Sequence, residues 1–239
     1  MDYSPVLAVV TAGFEILVAG WAFATRFRPG SRGVVGTTVA ILLLLAGYQL
    51  AEVAVCSDVT AAGFLPRLAF LIVTPLPALG LLLIALLRTP RSRLVNASAY
   101  GMLAATAGVM AWILFDRSFA SASVCNAVYA RYSHVMTRFL VYAWFYWIGL
   151  AGMIAFSGHG SLVGEGARRK GQLIPLFVGT AGFVSLSMLT SWFVPPARGA
   201  LPSIMCHFAL LLVFCLVRVI YLERQPAERA STLTAAQQG

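Results

Sequence analysis

Seven long apolar stretches, at roughly 6–25, 34–56, 68–87, 94–115, 135–157, 172–193 and 200–222, occupy most of this chain and decide the solvent in which it folds. A hydrocarbon core ~30 Å thick is crossed by ~20 helical residues, and each stretch supplies about that number. Lipid offers the backbone no hydrogen bonds, so a span must be a helix or part of a closed barrel. A barrel would read as ~10-residue segments of alternating polarity, whereas Ile41 to Leu45 and Leu81 to Leu87 are continuous aliphatic runs. The expected fold class is therefore all-α, a polytopic bundle of seven transmembrane helices in a lipid bilayer. Residues 1–224 form the transmembrane domain. Residues 225–239 are polar and Ala-rich without apolar periodicity, and read as a disordered cytoplasmic tail.

Charge sets the expected orientation. The loops after the first, third and fifth spans carry Arg26, Arg28 and Arg32; Arg88, Arg91 and Arg93; and Arg168, Arg169 and Lys170, and the tail adds Arg224 and Arg229. The alternate loops hold only Arg67, Arg117, Arg131 and Arg198 near the membrane. The positive-inside rule then predicts the N-terminus outside and the C-terminus in the cytoplasm. The net charge of +9 is on this reading topological, and its spread over three short loops argues against a nucleic-acid partner. Ala22-Phe23-Ala24 has the small-x-small form of a processing site, but Met1-Asp2-Tyr3-Ser4 lacks a basic leader, so the first span is expected to be retained.

Two features bear on packing. Ala97, Gly101 and Ala105 recur every four residues in the fourth span, with Ala104 and Gly108 on the adjoining stripe; small residues at this spacing let helices approach closely, which predicts a central fourth helix. In the third span Pro75 and Pro77 remove backbone donors and free the carbonyls of Leu71 and Val73, which predicts a kink that serves packing alone or lines a cavity. Leu65-Pro66 opens the third span and Leu201-Pro202 the seventh, the pattern of a three-plus-one-plus-three transporter-like repeat, although proline is common near helix starts.

Ionisable side chains at membrane depth are costly, so each is a functional candidate. Glu15 lies ~15 Å into its helix on a face of small residues, Ala8, Thr11, Ala12, Ala19 and Ala22. It fits either a neutral interhelical hydrogen bond or a proton-coupling or ligand role. Tyr48, Gln49, Glu52 and Cys56 share one face of the second helix; His134, Arg138, Tyr142 and Tyr146 follow at four-residue steps in the fifth; Cys206 and His207 lie at similar depth in the seventh. If these faces converge, they line an outward-opening polar pocket in which Glu52 neutralises Arg138. The expected ligand-binding residues are thus Glu15, Gln49, Glu52, His134, Arg138, Tyr142 and His207. Glu52, His134 and His207 would formally make a two-histidine, one-carboxylate set, but they lack the close spacing of a helical metal motif, and no metal or other cofactor is assigned. Cys56 and Cys125 both fall on the outer side, where an oxidising compartment would allow a disulfide roofing the pocket; the alternative is two free thiols. The run Phe139, Tyr142, Trp144, Phe145, Tyr146 and Trp147 reads as core packing or as an aromatic wall for a lipid, isoprenoid or cationic ligand.

Gln49-Leu-Ala-Glu52-Val53, Pro75-Leu-Pro77 and Cys206 resemble features of uncharacterised bacterial seven-span membrane proteins, whose second helix is similar in carrying Gln-x-x-Glu and whose last helix has a cysteine in its outer half. The Cys-Phe-Ser opening of that family is absent here. The layout also resembles the seven-span input modules fused to bacterial histidine kinases. The resemblance implies a bacterial cytoplasmic (inner) membrane but no activity. Three functions stay open: a small-molecule or lipid binding or sensory module, or a subunit of a membrane complex, needing a membrane-protein partner or a homo-oligomer; a proton-coupled transporter using Glu15 and the kinked third span; and a membrane enzyme with Glu52 as acid and His134 or His207 as base.

Overall fold

The computed structural model describes residues 4–25, 30–57, 64–88, 92–120, 122–126, 130–133, 135–163, 166–194 and 200–224. Its elements are α1 (Val6–Ala24), α2 (Arg32–Ser57), α3 (Leu65–Val73), α4 (Leu76–Leu87), α5 (Arg93–Phe115), β1 (Ala122–Cys125), β2 (Ala130–Ser133), α6 (Met136–Leu162), α7 (Ala167–Phe193), α8 (Leu201–Phe208) and α9 (Leu210–Glu223). Taken with α3–α4 and α8–α9 as single spans, seven helices are long and apolar enough to cross a membrane. This is the all-α bundle of a polytopic membrane protein. The tail 225–239 lies outside the described residues.

The third span breaks where its prolines fall. Pro75 caps α4 and Pro77 sits in its first turn, so two amide donors are missing at the junction. Just before the break, the Phe70 carbonyl accepts both the Thr74 amide at 3.0 Å and the Thr74 hydroxyl at 2.6 Å. The seventh span has a matching irregularity at Ala209, between α8 and α9.

Spans two, three and seven form the centre. In the most apolar stretch of each, 67% of the third and 56% of the second and seventh is buried, against 22% of the fourth. The expected central fourth helix is therefore corrected. Ala97, Gly101, Ala104, Ala105 and Gly108 are all exposed, and α5 packs instead through Val95, Ala99, Met102, Thr106 and Ile113. The physical reason is that small residues permit a close approach without supplying a partner; the larger side chains on the opposite stripe gain more contact against α3 and α4. The close helix contact lies elsewhere, between α4 and α6, where a Cβ at Gly149 would sit 2.5 Å from Pro77 Cβ and 2.7 Å from Met102 Cε.

The loop between α5 and α6 folds into an antiparallel hairpin, with Ala122 opposite Ser133 and Cys125 opposite Ala130. It packs on α2 and is tied there by a disulfide between Cys56 and Cys125, whose Cα atoms are 5.8 Å apart. Phe119 and Tyr132 from this loop meet Phe70 of α3 edge-on at 5.3 and 5.2 Å, and Tyr142 joins them at 5.3 Å. The hairpin is thus seated on an aromatic core.

At the opposite, arginine-rich end, Glu223 is wholly buried. Its Oε1 accepts hydrogen bonds from Arg169 at 2.5 Å and from the Gln172 amide at 2.8 Å; its Oε2 accepts one from the Ser31 hydroxyl and lies 3.7 Å from Arg168. One carboxylate therefore joins the turn before α2, the start of α7 and the end of α9.

Candidate functional site

Two arrangements meet at Cys206 of α8. The first is a buried polar core. Glu15, Gln49 and Glu52 have no exposed surface, and among the described residues neither carboxylate, nor either end of the Gln49 amide, has a hydrogen-bond partner. Helical spacing explains their common burial: Tyr48, Gln49 and Glu52 lie on the face of α2 turned toward α1, α8 and the hairpin. Ser203 of α8 and the backbone of Ala130 in β2 face the Glu52 carboxyl group without closing a bond of ordinary geometry. The Cys206 thiol lies within electrostatic reach of both Glu52 and Glu15, and Tyr48 approaches Tyr132 of the hairpin.

The second arrangement is apolar. A cleft of about 110 Å³ lies between α6, which contributes Phe139, Tyr142, Tyr146 and Trp147, and α8, which contributes Pro202 and Met205. Tyr146 and Met205 also line a narrow cavity of about 30 Å³ that reaches Ile41 and Leu45 of α2 and Phe183 of α7. Cys206 lines that inner cavity as well, so the apolar space ends against the polar core.

The residues expected to bind a ligand are thus distributed unevenly. Gln49 and Glu52 share a face, and Tyr142 is buried at the cleft wall. His207 is half-buried; its Nδ1 lies 2.8 Å from the Ser203 carbonyl and its Nε2 is buried without a partner among the described residues. His134 lies outside the described residues, so the set of two histidines and Glu52 is not described. Among the described residues no three His, Cys, Asp or Glu side chains are placed to hold a metal ion.

Arg138 corrects the expected pairing with Glu52. Its Nη1 donates to Asp116 Oδ1 and Oδ2 at 2.6 and 2.5 Å and to the Ser118 hydroxyl, and its side chain is 43% exposed. Asp116 caps α5, one loop away, so the guanidinium reaches a carboxylate at the surface without being buried. Hydrogen bonds from Ser118, and then Arg138, hold the Asp116 carboxyl below the usual aspartate range.

Sequence reasoning missed Ser203, Tyr132 and Met205, which carry no distinguishing pattern, and Glu223. The last did leave a signal: it is a carboxylate within an arginine-rich end, in Leu222-Glu223-Arg224.

Compared with protein-family models, with curated proteins and with solved structures, the chain matches none. What stands is the architecture itself, a seven-helix, largely apolar bundle of a polytopic membrane protein.

Proposed function

We propose that the protein is a binding module of the membrane that takes up a lipid or isoprenoid-like chain through the cleft between α6 and α8. The supporting observation is that the aromatic-lined cleft and the inner cavity share Tyr146 and Met205. Apolar, aromatic-lined clefts with a few polar groups at one end are the usual form of a small-molecule site, and helices α6 and α8 would have to part for a chain to enter one of this small volume. On this reading Glu52, Gln49, Glu15 and His207 offer their unpartnered atoms to the ligand's polar end, and Tyr142 forms the wall. The disulfide-bearing end faces outward, the C-terminus lies in the cytoplasm, and the membrane is the bacterial cytoplasmic one. A short-looped bundle of this kind would report occupancy to a membrane-protein partner or a second copy.

Met205→Trp tests this reading, because an indole at that position fills the junction of both spaces. Mass spectrometry of the organic extract from purified protein should find a chain-bearing molecule retained by the wild type and at least about tenfold depleted in the variant, the factor expected for loss of a few buried methylenes. Equal retention by both proteins would refute the site.

A second reading, proton-coupled transport, draws support from one observation. The third and seventh spans both open Leu-Pro, and the third changes helix at Thr74–Pro75, and proline-interrupted spans are a mark of transporter repeats. Uptake of a labelled solute that responds to a proton gradient and is abolished by Glu15→Gln would favour it.

A further inference from the structure

The seam between α1 and α9 carries a feature that the ligand reading does not use. These two helices run in the same direction, and Phe14 meets Phe214 at 5.4 Å. Seven residues further along each helix, hence on the same face, come Trp21 and Tyr221. A guanidinium lies over each of these rings: Arg224 is 5.5 Å from the Trp21 centroid and Arg218 is 5.8 Å from that of Tyr221. Among the described residues neither arginine has an acidic partner within ion-pair distance.

Arg218 is the telling residue. It is exposed, on a stripe whose other members, Phe214 at 60% and Tyr221 at 56%, are equally open. In a membrane that stripe faces lipid. Arg218 lies five residues before the helix end, or ~8 Å of helical rise, and a lipid-facing charge at that depth is tolerated when its head reaches the interface. Stacking over Tyr221 points the guanidinium toward the arginine-rich end, where lipid phosphates sit. Arg224, at the end of the same helix, crosses the seam to lie over Trp21 of α1.

We propose that Arg218, over Tyr221, and Arg224, over Trp21, form a site for the phosphate of an anionic phospholipid in the leaflet at the arginine-rich end. Charge complementarity selects this occupant: among the described residues the two cations have no acidic partner, both are exposed, and their flanking aromatics suit the headgroup boundary. The neighbouring Arg168 and Arg169 are different, because both are already committed to Glu223.

The full chain in nanodiscs of phosphatidylcholine mixed with phosphatidylglycerol provides the test, read as phosphatidylglycerol retained in native mass spectra. The wild type should keep phosphatidylglycerol in preference to phosphatidylcholine, and Arg218→Gln/Arg224→Gln should lose about tenfold of that preference. Arg218→Gln alone, at an exposed position that does not endanger folding, should lose part of it. Arg93→Gln, at an exposed arginine elsewhere on the same rim, should leave it unchanged. Unchanged preference in the double variant, or an equal loss in Arg93→Gln, would overturn the site. Displacement of the retained lipid by millimolar inorganic phosphate would also overturn it, by showing a free-anion site.

Discussion

Arg138 and Glu52 sit in different surroundings, and the difference is measurable. Arg138 is paired with Asp116 at the rim, while Glu52 is buried beside Ser203 and Ala130. Glu52→Gln and Arg138→Gln should therefore combine additively in thermal stability, whereas Asp116→Asn and Arg138→Gln should lose less together than the sum of their separate effects. Acid should act through Asp116. Its carboxyl is held below the ordinary value of ~3.9, so the stabilisation it brings is complete above that value and is lost as pH falls through the lowered one. A melting-temperature profile from neutral to strongly acid pH should show this decline in the wild type and not in Asp116→Asn. Glu223 makes the larger prediction: Glu223→Ala leaves Arg169 without its buried partner and should cost about 3 kcal/mol, read as a lowered melting temperature in detergent. At this scale the burial of Glu15, Gln49 and Glu52 was legible, because lipid forces such groups inward. The partner of Arg138 was not, since periodicity names a face of one helix and says nothing of how a neighbouring loop folds over its end.

Elements pack where side-chain volume allows. The α4–α6 contact depends on Gly149, whose missing Cβ leaves room for the rigid Pro77 ring. Gly149→Ala should destabilise by ~1–3 kcal/mol, whereas Gly101→Ala, where an added Cβ meets nothing, should be neutral or slightly stabilising in the same thermal assay. The hairpin is held by the Cys56–Cys125 bridge and by Phe119 and Tyr132 against Phe70. Unreduced peptide maps should find the two cysteines joined, and Cys56→Ser/Cys125→Ser should lose ~2–4 kcal/mol. Ready alkylation of both without reductant would contradict the bridge. The broken third span was legible from Pro75 and Pro77 because proline acts through its own backbone. The hairpin was not: its strands are four residues each, and what stabilises them is Phe70, more than fifty positions away. The fourth helix misled because its small stripe states only what could approach it.

Across the whole molecule, Gln49, Glu52, Tyr142 and Cys206 are buried while Arg138 stays at the rim with Asp116, and the cleft and inner cavity are walled mainly by apolar and aromatic side chains. The seven-span architecture was readable from hydropathy alone because lipid imposes it segment by segment. The cleft was not readable, since it arises from the gap between α6 and α8 and from Met205, which no sequence pattern marks. Photocrosslinking with a diazirine-bearing isoprenoid or fatty-acyl probe, mapped to residues by peptide mass spectrometry, addresses the cleft directly. The account predicts labelling concentrated on Phe139, Tyr146, Trp147 and Met205, and displaced by unlabelled ligand. Labelling no stronger there than on the outward-facing Leu140, Trp144 and Ile148 of the same helix would mean that the probe meets α6 only as bulk lipid does, and would contradict the binding site.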